Sequence, residues 1–268
     1  MSYAQACVVV NVESKKRSRL SLRQSSAPVF NPEQAQLPSL LWQSKAQEFI
    51  NVCHQRLLRT PYALDLLQQR GFTFEWIEKF RFGWNPNTIW LVRSEWGIEE
   101  AEGKKLWLPQ GLVIPLFDSM NGRPTKIKMR RNEWKKGDEL PKYVEISGGM
   151  RCPAVFSLPS VKSIAVVVEA EFDAMLVHQF ASDLCFVVAL GGAGKRPDVH
   201  CHQLLKSAYR IVFALDVDKA RASAFRWWKA NYPHLRLWLP PVGKSPGDAW
   251  AAGIDLRRWI VDGICESE

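Results

Sequence analysis

From residue 164 onward, short apolar runs alternate with amphipathic stretches of helical period. The runs predict strands at 164–168, 186–190, 211–215 and 236–239, separated by helices at 173–180, 200–208 and 220–231. Short runs of branched apolar residues that end at polar positions are typical of strands buried in a parallel sheet. Regular β/α alternation predicts right-handed crossovers with helices covering the sheet. We therefore expect an α/β, Rossmann-like domain over residues 159–268.

The first half of the chain has a different pattern. Apolar residues recur at helical spacing between Ser39 and Leu58, and two shorter helices are expected, over 62–69 and after Thr73. Nothing in these helices requires chemistry, so we expect them to serve packing. The polar, basic residues before them predict a flexible arm over residues 1–36.

A β-hairpin is predicted after the helices. The runs 112–117 and 125–131 flank a turn that contains Asn121-Gly122, a dipeptide that favours tight hairpin turns. The helices and this hairpin together predict a basic α+β subdomain over residues 37–158. Strand alternation places three cations on one face of the returning strand: Lys126, Lys128 and Arg130. Such a face is often only the solvent side of a strand.

The charge distribution favours an acidic partner for this subdomain. The chain has 36 basic and 27 acidic residues and a formal charge of +9. Residues 123–142 carry eight basic and three acidic residues, whereas residues 161–256 carry eleven and nine. A basic segment that precedes a balanced one suits a phosphate-binding surface in the same protein as a metal site. Most of the twelve tryptophans should be core anchors, although some could stack on bases.

Composition also excludes several classes of protein. A hydrophobic content of 47% predicts a folded core and excludes a disordered chain. The six cysteines form no CxxC pair, which argues against a zinc ribbon and favours a reduced, cytoplasmic protein. No apolar run is long enough to span a membrane, and the charges near the N-terminus follow the apolar patch at 6–10, opposite to a signal peptide.

Acidic residues follow the predicted parallel strands. Glu169 follows the first, Asp216 and Asp218 end the third, and Asp248 lies in the loop after the fourth. The second strand runs into a glycine-rich loop that ends at Lys195 and lacks P-loop spacing. Taken alone, Asp216 and Asp218 fit a solvated turn. Because parallel strand ends share one edge, however, the four acids can converge, and converging carboxylates need a cation.

These motifs, in this order, resemble the Toprim domain of DnaG-type bacterial primases. The resemblance is carried by 169–174, 189–192, 211–218 and the Pro-Gly-Asp turn at 246–248. The upstream motifs fall in the order expected of the basic N-terminal part of a primase core: Arg70-Gly71, 80–83, 112–115, Arg130-Arg131 and 141–143. The resemblance therefore spans residues 60–250 and implies a Toprim domain preceded by a primase-like subdomain.

The resemblance also implies roles for individual residues. It implies catalytic roles for Glu169, Asp173, Asp216 and Asp218, and a magnesium or manganese site formed by Glu169, Asp216, Asp218 and Asp248. The groups that would hold nucleic acid or nucleotide are cationic: Lys126, Lys128, Arg130, Arg131, Lys142 and Lys195. The chain departs from the family pattern at Ala170, where glycine is usual, and at Ser245, where an acid is often found.

Three functions are weighed on this basis. The first is a primase-like nucleotidyltransferase that makes short RNA primers on single-stranded DNA by metal-dependent phosphoryl transfer. The second is a non-catalytic module that binds single-stranded nucleic acid within a replication complex or for a mobile element, which Ser245 and the short segment after Asp248 favour. The third, ranked last, is a Toprim nuclease. The expected partners are template and nucleotides, with a replicative helicase or a separate zinc-binding module as further candidates.

Overall fold

The computed structural model describes residues 30–99, 105–157, 163–192, 194–215 and 222–265. The described residues form two compact units, one of residues 35–151 and the other of residues 152 onward together with 30–34. A strand that pairs within the second unit, Ala154–Phe156, explains why the units divide before the predicted boundary at 158. Residues 1–29 of the predicted arm lie outside the described range, and the domain limits stay a prediction.

The first unit begins with three helices whose ends follow from the sequence. They are α1 (Leu40–Leu57), α2 (Pro61–Gln68) and α3 (Phe74–Lys79). The Ser39 hydroxyl accepts a hydrogen bond from the Trp42 N–H at 3.1 Å, and Thr73 caps α3 in the same way. Such caps satisfy backbone donors that a helix leaves without partners in its first turn. The buried face of α1 presents Trp42, Ala46, Ile50, Cys53 and Leu57.

An antiparallel sheet packs against α1. Its strands are β1 (Gly83–Asn85), β4 (Gly111–Phe117), β5 (Pro124–Arg131) and β6 (Tyr143–Glu145), in the order β1-β4-β5-β6. A short 3-10 helix at Ser94–Trp96 lies between the strands of a separate ribbon, β2 (Ile89–Leu91) and β3 (Leu106–Leu108). The β4–β5 pair is the predicted hairpin, which is confirmed. Val113, Ile127 and Met129 share a core with Trp42 and Ile50.

The second unit contains a five-stranded sheet covered by helices. Its elements in chain order are β7 (Ala154–Phe156), β8 (Ile164–Val168), α4 (Glu171–Ala181), β9 (Phe186–Ala189), α5 (Val199–Ser207), β10 (Arg210–Phe213), α6 (Ala222–Asn231), β11 (Leu235–Leu237), α7 (Pro246–Ala251) and α8 (Leu256–Cys265). The strand order is β11-β10-β8-β9-β7, parallel except for β7. The predicted α/β class and mostly parallel sheet are confirmed.

The core of this unit lies between the sheet and the helices α5 and α6. Alternate strand residues such as Val167, Val188 and Phe213 pack there against Trp228 and Tyr232, all of them buried. The other residues of the same strands are buried as well, so the strands are apolar on both faces, as expected of a central parallel sheet. None of the described helices is long and apolar enough to cross a membrane.

The last residues of the predicted flexible arm are folded onto the second unit. The Phe30 ring packs edge-to-face against His202 and Trp227, with ring centroids 5.4 and 4.8 Å apart. The Glu33 carbonyl accepts a hydrogen bond of 3.0 Å from the Val199 N–H at the start of α5. An aromatic anchor and a satisfied helix terminus therefore hold a segment whose composition alone favours disorder.

The α1 face provides a test of the first unit's core. Replacing Ile50, which is 0% exposed, by alanine should lower the free energy of unfolding by about 2–5 kcal/mol, because the cavity is only partly refilled. Val52, two residues away and 48% exposed, is the matched control, and its alanine variant should stay within about 0.5 kcal/mol. Urea unfolding followed by circular dichroism measures both values, and equal losses would contradict this packing.

Candidate functional site

The carboxyl ends of four parallel strands meet at one edge of the second sheet. Glu169 follows β8 directly and is half-buried. Its backbone carbonyl accepts a hydrogen bond of 2.8 Å from the Gly191 N–H, which joins the ends of β8 and β9. Open α/β sheets bind their ligands at this edge, because the loops there surround a crevice beyond the strand ends. We name this region, with Glu169, Asp173 and the loop before α7, the acidic edge.

Asp173 connects α4 to the loop that precedes α7. It lies in the first turn of α4, where a negative charge interacts favourably with the helix dipole. Its Oδ1 accepts a hydrogen bond of 2.9 Å from the Gly247 N–H. A Cβ at residue 247 would stand 2.9 Å from the same oxygen, so glycine permits this close approach. The last loop is therefore held against the first acidic motif.

Asp248 lies in the first turn of α7 and takes part in capping it. The Ser245 hydroxyl accepts a hydrogen bond from the Asp248 N–H at 3.3 Å, and Asp248 Oδ2 accepts one from the Lys244 N–H at 3.0 Å. These reciprocal bonds form a variant of the capping box. Ser245, at the position where the resemblance favours an acid, thus serves as the N-cap of the helix. The Asp248 side chain is exposed and one of its oxygens is already used by the loop backbone.

The glycine-rich loop after β9 brings two opposite charges together. Gly191 has a φ of +73°, a conformation that glycine adopts without strain. A Cβ at this position would lie 3.1 Å from Glu171 Oε1 and 3.4 Å from Lys195 Nζ, so both side chains lie against the Gly191 backbone. Glu171 is 3% exposed, whereas Lys195 is half-buried. The predicted nucleotide-binding lysine therefore lies beside a buried carboxylate.

Two further predicted metal ligands, Asp216 and Asp218, fall in the interval 216–221, which lies outside the described residues. Within the described ranges, no three His, Cys, Asp or Glu side chains are close enough to hold a metal ion. The donors at the acidic edge are nevertheless carboxylate oxygens, the ligand type that Mg²⁺ and Mn²⁺ prefer. The donor chemistry fits such a cation, and Glu169 and Asp248 are the predicted metal ligands that lie among the described residues.

The cations predicted on β5 have three different environments. Lys126 is 2% exposed, so it is part of the interior. Lys128 is half-buried and stands opposite Glu145 on β6, where a cross-strand carboxylate balances its charge. Arg130 stands opposite Tyr143, and its buried Nε has no hydrogen-bond partner among the described residues. The alternation of the strand is as predicted, but burial removes Lys126 from the accessible basic surface.

Arg130 belongs to a group of three cations in the first unit. The pKa of Lys142 is lowered from its ordinary value, first by burial and then by the positive charges of Arg130 and Arg70. Its Nζ also lies 5.4 Å from the ring centroid of Trp134. We name Arg70, Arg130 and Lys142 the basic cluster. Like charges held together repel, so an anion bound among them would relieve an existing electrostatic cost.

Arg131, also predicted to hold phosphate, is used mainly by its own unit. Its Nη1 donates a hydrogen bond of 3.0 Å to the Leu140 carbonyl and lies 3.5 Å from Asp138 Oδ2. Its guanidinium also lies over the Trp107 ring, 5.8 Å from the centroid. Arg131 therefore fixes the segment that carries Lys142.

Comparison with known proteins finds similarity to bacterial DNA primases. The chain is 26% identical over 217 residues to the DNA primase of Haemophilus influenzae, which covers 70% of this chain and 35% of that protein. It is 26% identical over 213 residues to the DNA primase of Pasteurella multocida, covering 70% and 36%. The chain resembles the DnaG-type primases. No protein-family model matches it. The primase-like chain spans about a third of the length of these two relatives.

Solved primase structures share its fold. The DnaG catalytic core superposes with a TM-score of 0.63 at 18% identity, covering 83% of this chain and 79% of that one. A DNA primase domain from Pseudomonas aeruginosa gives 0.61 at 20% identity, covering 82% and 78%. The zinc-binding and RNA polymerase domains of Aquifex aeolicus primase give 0.59 at 20% identity, covering 83% and 60%. The predicted Toprim-like fold after a primase-like subdomain is thereby confirmed.

Two residues of these regions were missed as candidates at the level of sequence. Arg70 lies sixty residues before Arg130 in the chain, so no local pattern connects the two. Glu171 lies within the acidic motif at 169–174, but its burial against Gly191 depends on how α4 packs on the sheet. For Arg70, the one available signal was the Arg70-Gly71 pair, which resembles a motif of the primase pattern. Nothing in the sequence distinguished Glu171 from an exposed helix-terminal acid.

The Asp173–Gly247 hydrogen bond generates a stability prediction. Asp173→Ala should lower the free energy of unfolding by about 1–2 kcal/mol, because it removes a charge-assisted acceptor from a half-buried N–H. Asp173→Asn keeps an acceptor oxygen and should lose less. Amide hydrogen exchange at Gly247, measured by NMR, should accelerate in the alanine variant. Unchanged exchange in that variant would rule out the proposed link between α4 and the last loop.

Proposed function

We propose that the chain is a primase-like nucleotidyltransferase that synthesises short RNA on single-stranded DNA with Mg²⁺ or Mn²⁺. The observation that carries the proposal is the similarity to DNA primases over 70% of the chain, together with the shared fold of their catalytic cores. The acidic edge supports it, because this is where such a sheet collects carboxylates. This chain spans about a third of the length of that relative.

In this proposal each residue of the acidic edge has a different role in phosphoryl transfer. Glu169, half-buried at the end of β8, accepts the proton of the attacking 3′-hydroxyl or orients the donors around it. Asp173 keeps the last loop in place through Gly247, and Asp216 and Asp218 supply further carboxylates. A bound divalent cation would stabilise the charge that develops on the attacking and leaving oxygens. Lys195, at the end of the glycine-rich loop, binds the phosphates of the incoming nucleotide.

The basic cluster binds the sugar-phosphate backbone of the template. Arg130 and Arg70 lie close enough to Lys142 for their charges to lower its pKa. The Arg130 Nε is buried, so the terminal Nη groups of the guanidinium are the donors that would meet a phosphate. A guanidinium beside a second cation is well suited to a phosphate oxygen. Lys126, Lys128 and Arg131 support the strand that carries Arg130, and carboxylates of Glu145 and Asp138 lie opposite Lys128 and beside Arg131.

Primer synthesis tests the catalytic part of the proposal. The wild-type chain should incorporate labelled ribonucleotides on single-stranded DNA when magnesium or manganese is present, and Asp216→Ala should reduce incorporation at least about 100-fold. Glu169→Gln should produce a similar loss. Asp65→Ala, which removes an exposed aspartate from α2, is the matched control and should keep wild-type activity.

Two results would contradict this assignment. Full incorporation by Asp216→Ala would remove the metal role from that aspartate. Absence of incorporation by the wild-type chain, with single-stranded DNA still bound, would favour the alternative function described next.

The alternative is a non-catalytic module that binds single-stranded nucleic acid. It is favoured by one observation: Ser245 and Asp248 satisfy the hydrogen bonds of their own loop, and Ser245 replaces an acid. A loop that caps itself needs no cation to hold it together. This function predicts single-strand binding that survives both Asp216→Ala and chelation of divalent ions.

The basic cluster makes a prediction that holds for both functions. Arg130→Ala should weaken binding of single-stranded DNA, and the slope of log Kd against log salt should fall by about 0.7, because one phosphate contact is lost. Lys135→Ala, which removes an exposed lysine outside the cluster, is the control and should change the slope less. A series of binding titrations at increasing salt measures both variants. An unchanged slope for Arg130→Ala would exclude a direct phosphate contact.

A further inference from the structure

The β2–β3 ribbon carries two stacked tryptophans on its outer side. Trp90 and Trp107 are paired directly across the ribbon, with ring centroids 5.9 Å apart and planes inclined by 20°. The neighbouring residues Leu106 and Leu108 point the other way and are 2% and 0% exposed. We name Trp90 and Trp107 the tryptophan pair. The ribbon thus buries Leu106 and Leu108 and leaves an aromatic surface on the opposite side.

Trp90 is unusually exposed for so large an apolar side chain. It is 58% exposed, although tryptophan is highly buried in most folded proteins. Trp107 beneath it is half-buried, so one ring supports the other from below. A rigid aromatic face of this kind is the surface on which a planar ligand stacks. The pair is accordingly preorganised, because Trp107 holds Trp90 in one orientation before any ligand arrives.

The tryptophan pair is continuous with the positive charge of the same unit. The Arg131 guanidinium lies over Trp107 at 5.8 Å, and the Arg131 N–H donates a hydrogen bond of 3.0 Å to the Lys142 carbonyl. Lys142 belongs to the basic cluster and also lies over Trp134. Arg131 therefore connects the aromatic surface to the cations that bind phosphate. Stacking surfaces beside cationic groups are the combination by which proteins hold single-stranded nucleic acids.

We propose that Trp90 is a stacking platform for a base of a single-stranded nucleic acid whose phosphates lie on the basic cluster. The proposal deepens the proposed function, since it names a contact for the template strand. A base offers a π-face whatever its sequence, so this contact adds affinity without sequence preference. Double-stranded DNA keeps its bases stacked on one another and does not offer a free face to Trp90.

Charge favours a nucleic acid over a protein as the occupant. The segment 123–142, which includes Arg130, Arg131 and Lys142, carries eight basic and three acidic residues. A polyanion with exposed rings matches both features at once. If the pair only stabilised the ribbon, as a cross-strand aromatic pair does, its effect would appear in unfolding and not in binding.

Binding of fluorescent oligothymidylate to the full chain, with divalent ions chelated, tests the platform. Trp90→Leu keeps an apolar side chain but removes the ring, and it should weaken binding roughly 5- to 150-fold, the range expected for one stacked base. Trp90→Phe should retain most of the affinity. Tyr209→Leu, which removes a tyrosine that is 69% exposed on the second unit, is the matched control and should bind like wild type.

The salt dependence separates stacking from charge. Trp90→Leu should raise Kd by the same factor at every salt concentration, because no phosphate contact and no counterion release are lost. Arg130→Ala should instead change the slope. Wild-type Kd values for Trp90→Leu at every salt concentration would overturn the proposal.

A second measurement keeps the proposal testable if a Trp90 variant fails to fold. Ultraviolet crosslinking of the wild-type chain to bromodeoxyuridine-containing single strands, followed by mass spectrometry, should label the peptide that contains Trp90. Crosslinks found only on other peptides would overturn the platform. Because these assays contain neither nucleotides nor divalent cations, they succeed or fail independently of primer synthesis. If the Trp90→Leu variant primes normally and binds single strands with wild-type Kd, the stacking proposal fails and the proposed primase-like activity stands.

Discussion

The candidate site depends on the parallel register of the four central strands. Hydrogen bonding between β8, β9 and β10, and between β10 and β11, brings all their carboxyl ends to one edge. Residues far apart in sequence, such as Asp173 and Gly247, are thereby joined by a single hydrogen bond.

The last loop carries a serine where the resemblance to primases favours an acid. Asp173 holds Gly247, and Ser245 and Asp248 cap α7 between them, so the loop is ordered by its own hydrogen bonds. In a loop that carried additional acids, a cation would have to offset their mutual repulsion. The serine therefore lowers the electrostatic need for a cation at this position.

The first unit places positive charge and aromatic surface together. The packing of α1 against Val113, Ile127 and Met129 orients β5, and β5 in turn fixes Arg130 and Arg131. Arg131 is used internally and links Lys142 to Trp107, so one partly buried residue connects the basic cluster to the tryptophan pair. This division separates residues that hold the surface in place from residues available to a ligand.

The sequence by itself determined the main elements and the chemistry of the strand ends. Its periodicities predicted the long helix α1, the β4–β5 hairpin and the alternating second half, because each segment is long enough to show its period. The three-residue strands β1, β2, β3 and β6 were too short for that. Only the tertiary structure decided that Lys126 is buried, that Arg70 joins Arg130 and Lys142, and that Trp90 is exposed upon Trp107. These properties arise from contacts between residues distant in the chain, which local pattern does not encode.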